Sequence, residues 1–142
     1  MDQGPITSAP ARDSNAYRMA THPRLVFLVD DDESVRKALR RLLVASGFQV
    51  RVFADGVDFL DAVAAQRPDC LVIDLHMPGL TGLDVLRQLL RVKPRVPAIV
   101  ITAHDEPDTH DQCTLAGAQA YLCKPLDAKV LLDAIQEVLH EL

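Results

Sequence analysis

No run of this sequence approaches the roughly 20 consecutive apolar residues of a membrane-spanning helix, and its first residues hold no continuous apolar stretch of the kind a secretory signal needs. A cytoplasmic location with no membrane partner is therefore expected. Cysteine is scarce: Cys70, Cys113 and Cys123 form no CxxC pair and no Cys/His spacing of a zinc site. They read as reduced thiols, with Cys70 and Cys123 as small core residues because both lie in apolar strand-like runs. Basic clusters are also missing. The net charge is −5, and neutralising phosphates requires a basic face, so direct nucleic-acid binding is not expected.

What remains is an ordinary balance for one globular domain: 142 residues, 49% hydrophobic and 25% charged. Residues 1–23, MDQGPITSAPARDSNAYRMATHP, carry three prolines, few large apolar side chains and no periodicity. They read as a flexible leader, leaving 24–142 as the folded unit. Within that unit five apolar segments recur, LVFLV from 25, FQVRVF from 48, CLVID from 70, PAIVIT from 97 and AYLC from 120. The stretches between them are helix-like. VRKALRRLLVAS places Val35, Leu39, Leu42 and Leu43 on one face before Gly47, and DAKVLLDAIQEVLHEL repeats the stripe through Leu131, Ile135, Val138 and Leu142. Short strands alternating with helices predict an α/β protein of right-handed βαβ units, a parallel sheet covered on both faces. Continuous hydrophobicity in LVFLV, CLVI and AIVI predicts that these are its central strands.

In a parallel sheet every strand's C-terminal end opens on the same edge, where ligands bind. Here that edge would collect Asp30, Asp31 and Asp32 after the first strand, Asp74 after the third, Thr102 after the fourth and Lys124-Pro125 after the fifth. Carboxylates so close repel one another and become comfortable when a cation joins them. An all-oxygen set without histidine or thiol clusters suits Mg²⁺, which commonly takes one or two carboxylates and fills its other positions with water and phosphate oxygens.

VDDDESVR, VIDLHMPGLTG, VITA and YLCKP, in this order and spacing, resemble the receiver domain of two-component response regulators over about residues 24–142. DDDESVRKAL and the histidine two places after the threonine are most similar to FixJ-like members of this CheY-like superfamily. The resemblance implies a (βα)5 doubly wound, flavodoxin-like fold with a five-stranded parallel sheet in the order 2-1-3-4-5. It implies that Asp74 accepts a phosphoryl group from a phosphohistidine of a sensor histidine kinase or histidine phosphotransfer protein. Mg²⁺ (or Mn²⁺) would be held by Asp31, Asp74 and the main-chain carbonyl of His76, with Asp30 acting from close by, partly through water. Lys124 would pair with a phosphoryl oxygen, Thr102 would move inward to another, and Tyr121 would follow as a switch residue on the outer face of the fifth strand.

His76 and His104 would modulate how readily water reaches the acyl phosphate. A cis Lys124–Pro125 bond is implied as well. Leu126 stands where many relatives carry Phe, and Thr81 where many carry an acid. Kinase choice would rest on first-helix surface residues such as Val35, Lys37 and Ala38. Such a chain is a signalling switch that catalyses only its own phosphorylation and dephosphorylation, and the face of the fourth helix, fifth strand and fifth helix, including Tyr121 and Leu122, would serve a homodimer or a target. Ending at Leu142, it reads as a single-domain regulator, with the excised receiver of a longer transcriptional regulator as the alternative.

Two other readings stay open. Asp32 reads best as a helix N-cap. DDDES, read as D-x-D-x-S, also resembles the nucleophile loop of haloacid-dehalogenase-type phosphatases, which would make Asp30 the nucleophile of an enzyme acting on small phosphoesters. Such enzymes carry a late paired-acid motif, and only Asp105-Glu106 offers one here.

Overall fold

The computed structural model describes residues 23–140. Residues 1–22, nearly all of the segment read as a leader, and Leu142 of the last helical stripe lie outside the described residues. Strands and helices alternate: β1 Leu25–Val29, α1 Glu33–Ala45, β2 Gln49–Phe53, α2 Gly56–Ala65, β3 Cys70–Asp74, α3 Gly82–Leu89, β4 Ala98–Thr102, α4 Pro107–Leu115, β5 Ala118–Cys123 and α5 Ala128–His140. The sheet is parallel throughout, in the order β2-β1-β3-β4-β5. That is the doubly wound, flavodoxin-like architecture the sequence implied, and the three strands with continuous apolar runs are its centre.

Alternation of side chains along the central strands divides the core in two. Val26 and Leu28, Cys70 and Val72, Ile99 and Ile101 face α1 and α5, where Leu39, Leu43, Leu131 and Ile135 cover them. Phe27 and Val29, Leu71 and Ile73, Ala98 and Val100 face the other way, under Phe59, Val85, Leu86 and Cys113. On that side Phe27, Phe53 and Phe59 form a ring cluster with centroids 5.0–6.0 Å apart, two of the three pairs edge-on, an arrangement that adds to their burial.

The edge strand corrects one expectation. Cys70 is buried as read, but Cys123 is exposed, and the buried partner is Cys113 of α4. β5 has a neighbour on one side only, and its half-buried pattern shows how little the helices cover its last residue. The register with β4 also slips between Ala98 and Ile99, so that Tyr121 lies opposite Val100 and Cys123 opposite Thr102. Burial still pushes the Cys123 thiol upward in pKa, with the nearby Asp105 adding to the effect.

Helix starts converge on the C-terminal edge. Asp32 caps α1, accepting from Ser34 N at 2.9 Å and Val35 N at 3.4 Å, so the capping reading of that residue holds. Asp55 caps α2 through Asp58 N, and Thr81 with Asp84 forms a reciprocal capping box on α3. Gly82 opens α3 where the chain turns back against β3. A Cβ there would stand 2.5 Å from the Asp74 carbonyl oxygen and 2.8 Å from Leu75 Cα, both backbone.

Gly82→Ala therefore reverses the usual sign of a glycine-to-alanine change near a helix start. Alanine should destabilise the fold by about 1–3 kcal/mol because the β3–α3 turn must shift. Urea denaturation of the two proteins checks this; an alanine variant at least as stable as the parent refutes the close-approach argument.

Candidate functional site

The last rungs of the ladder extend beyond the strands and fix the backbone of each candidate residue. Asp30 N donates to Phe53 O at 3.1 Å, Leu75 N to Ile101 O at 2.9 Å, and Lys124 N to Thr102 O at 2.7 Å. Asp30, Asp74, Thr102 and Lys124, from four separate strand ends, thus stand at one level of the sheet. Three of them are enclosed: Asp30 and Thr102 are fully buried and Asp74 is 4% exposed. Asp31 is exposed.

One carboxylate oxygen each of Asp30, Asp31 and Asp74 falls within a 4.8 Å span. The Lys124 ammonium enters from the side, 2.9 Å from Asp30 Oδ2 and 3.6 Å from Asp74 Oδ1. The other Asp30 oxygen accepts from Asp32 N at 2.9 Å. Burial and then the Asp30 charge push the Asp74 carboxyl up from 3.8 to about 6, with Lys124 and a His76 backbone hydrogen bond opposing them. For Lys124, burial alone would lower the pKa. The hydrogen bond to Asp30 and the charges of both carboxylates outweigh it, and the net direction is upward.

Thr102 faces this group in sequence but not in its present hydrogen bonding. Its hydroxyl donates to His104 O at 3.0 Å and accepts from His104 N at 3.1 Å, a closed local turn. The His76 and His104 rings meet edge to face, centroids 5.5 Å apart, and both side chains are exposed. Tyr121 is half-buried beside the α2–α4 core. The Lys124–Pro125 peptide is cis, as the resemblance implied.

Two residues enter that sequence reasoning did not single out. Arg36 donates to the Asp30 carbonyl oxygen at 2.8 Å, fixing the peptide between the two acids from the first turn of α1. Its place four residues after the Asp32 cap was a usable signal, since that spacing brings a long side chain back over the helix start. His110 stacks on Tyr121, centroids 4.4 Å apart and planes 15° from parallel. Nothing in the sequence pairs residues eleven apart on a helix and a neighbouring strand.

The arrangement is an acidic, all-oxygen pocket with one buried carboxylate whose pKa burial and a neighbouring charge raise, and one ammonium beside it. It can bind a hard divalent cation and stabilise oxyanions arriving at Asp74. The donor set fits such an ion on chemistry alone, because crowding already raises the Asp74 pKa and a dication would relieve it. Among the described residues no helix is long and apolar enough to cross a membrane.

Comparison with known proteins bears directly on this geometry. Residues 26–136 match the family model described as the response regulator receiver domain. Response regulator MprA of Mycobacterium avium (strain 104) is 42% identical over 115 residues, 81% of this chain and 50% of that protein. The chain thus spans about half the length of the curated relatives it matches. Among solved structures, FixJ-N superposes with a TM-score of 0.79 at 34% identity, covering 86% of this chain and 98% of that one. A response regulator receiver protein from Burkholderia phymatum gives 0.73 at 40% identity, covering 82% and 95%. With its strand order, its acidic edge and these relatives in agreement, the chain belongs to the response regulator receiver domain family of two-component systems.

Proposed function

We propose that this receiver, as the unit 24–142, takes a phosphoryl group on Asp74 from a phosphohistidine of a sensor histidine kinase or histidine phosphotransfer protein, and that the modified state controls a partner or an output domain. The observation that carries this reading is the buried Asp74 carboxylate set among Asp30, Asp31 and the Lys124 ammonium, within 4.8 Å for the acids and 3.6 Å for the lysine.

An Asp74 oxygen attacks phosphorus in line, the P–N bond to the donor imidazole breaks, and the departing ring keeps its electron pair and takes up a proton. The product is an aspartyl phosphate. Little covalent work falls to the protein beyond placement and charge neutralisation. Asp31, Asp74 and the His76 carbonyl would hold Mg²⁺ (or Mn²⁺), with Asp30 acting from close by, partly through water, and the ion's chemistry there would be to offset the negative charge of carboxylates and phosphoryl oxygens. Lys124 already lies near Asp74 and would transfer its hydrogen bonding from the carboxylates to a phosphoryl oxygen. Thr102 would release the His104 carbonyl and donate to another, a charge-assisted bond stronger than the neutral one it leaves. Tyr121, on β5 opposite Val100, would move in the space vacated, and the new charge would bias a two-state equilibrium. His76 and His104, at the rim, would modulate water access to the aspartyl phosphate. The α4–β5–α5 face is the expected place for a homodimer or target.

The phosphatase reading has less support. Its nucleophile would be Asp30, which is fully buried and has both carboxylate oxygens occupied, one by Asp32 N and one by Lys124. Acetyl phosphate with Mg²⁺ should label the parent protein on Asp74, with the label lost on base treatment, and Asp74→Asn should lose it entirely. Label that persists in Asp74→Asn but disappears in Asp30→Asn assigns the nucleophile to residue 30 instead.

The pKa of Asp74 gives a second expectation. The folded carboxyl binds its proton more tightly than the unfolded one, about 6 against 3.8. Between those values the native state therefore holds more protons, and stability falls as pH rises through that interval. In chelator-treated buffer Asp74→Asn should be more stable than the parent above about pH 6, by about 1–2 kcal/mol once the lost His76 hydrogen bond is set against the relieved charge. The gain should fade towards about pH 4 and be absent below it. Urea melts across this range check the slope, and equal midpoints at pH 8 contradict it. Added Mg²⁺ should raise the parent's midpoint, since binding only the native state stabilises it, and should do less for the asparagine variant.

A further inference from the structure

His110 and Tyr121 are the one face-to-face ring pair among the described residues, 4.4 Å apart and 15° from parallel. They join α4 to β5, the strand it packs against. α4 buries a single one of its residues, Cys113, and its N-cap residue Glu106 makes no side-chain capping bond. α3 next to it has a capping box and buries Gly82, Val85, Leu86 and Leu89. Few buried contacts and an uncapped start are the marks of an element that shifts at low cost. His110 lies in the first turns of α4, directly after the 103–106 loop that the Thr102 hydroxyl closes through His104.

We infer that His110 is a positioning residue of the switch: its imidazole, stacked on the Tyr121 ring, latches α4 to β5 in the conformer in which Thr102 is bonded to His104. This rests on the reading of Tyr121 as a switch residue. Tyr121 cannot leave its place without unstacking from His110 or drawing the first turns of α4 with it. Whatever favours the switched state must therefore overcome the stack, and the stack helps set how much of the protein is switched at rest. The hydroxyl of Tyr121 is enclosed, and burial raises its pKa with the Glu106 backbone opposing. The hydroxyl makes no hydrogen bond among the described residues, so the ring's specific contact at this place is its stack on His110.

The chain has two tyrosines and no tryptophan, so in a Tyr17→Phe background intrinsic emission reports Tyr121 alone. Beryllofluoride with saturating Mg²⁺ serves as the probe, titrated against the full chain carrying His110, His110→Ala or His110→Phe. Removing the stack should lower the half-saturating beryllofluoride concentration by roughly two- to tenfold, the range expected for one aromatic pair. His110→Phe, which keeps a stacking ring, should stay close to the parent. Resting Tyr121 emission should change in His110→Ala and less in His110→Phe, a signature that a general loss of stability would not divide in this way. A parent response with unchanged or raised midpoint in His110→Ala overturns the latch and leaves the Tyr121 reading standing. Parent emission that ignores beryllofluoride, with Mg²⁺-dependent binding verified by fluorine resonance, overturns the Tyr121 reading and the latch with it.

Discussion

One ammonium group holds the site together. Three carboxylates within 4.8 Å would repel strongly in a buried pocket, and Lys124 is the cation that reaches two of them. Its position depends on the sheet as a whole. β1 and β3 must be neighbours to bring Asp30 beside Asp74, and β5 must follow β4 far enough for Lys124 N to take one more rung on Thr102 O. A slip of one residue in either pairing would turn the side chain to the other face of the sheet. Register, set by the apolar strands, is thus also what sets the charge balance at the edge.

That edge carries more acid than the pocket uses. Asp32, Asp55 and Asp84 lie at helix starts and accept backbone N–H groups there, which the helix dipole favours. Hydrogen bonds to Ser34 hold Asp32 below its ordinary pKa, and bonds to Thr81 do the same for Asp84. Asp74 moves in the opposite direction. The three consecutive aspartates after β1 are separated in the same way: Asp30 is buried on Lys124, Asp31 is open at the pocket, and Asp32 turns away to cap α1.

Much of this was legible in the sequence, for physical reasons that also mark where legibility stopped. LVFLV, CLVID and AIVIT are apolar on both faces because they lie in the middle of the sheet with helices on each side. A parallel sheet then sends every strand end to the same rim, so Asp30, Asp74, Thr102 and Lys124 could be grouped before any coordinates. AYLC is equally apolar in its letters, yet it forms an edge, and Cys123 is exposed there. Sequence hydrophobicity does not register how many neighbours a strand has. The bulge opposite Ala98 and Ile99, which decides that Tyr121 faces α4, leaves no mark in composition either. The bonding of the Thr102 hydroxyl to His104 is likewise a choice among local partners, visible only in three dimensions.

That last bond bears on how a switch of this kind can be sensitive. A hydroxyl with no partner would turn to a phosphoryl oxygen at once and would carry little information about competing states. On the proposed mechanism Thr102 would instead give up a carbonyl bond worth about 0.5–1.5 kcal/mol and gain one to a charged group worth about 1.5–3 kcal/mol. The difference is small. Moving a two-state equilibrium from mostly one state to mostly the other takes about 5.5 kcal/mol, so on that mechanism Thr102 alone would be insufficient and the proposed Lys124 exchange would have to add to it. Contacts such as the His110–Tyr121 stack, of the same order as the Thr102 gain, then lie within the range that decides where the balance falls. A site that worked by several near-cancelling exchanges, as proposed, would be tunable by single substitutions at its margin without loss of the proposed phosphoacceptor chemistry.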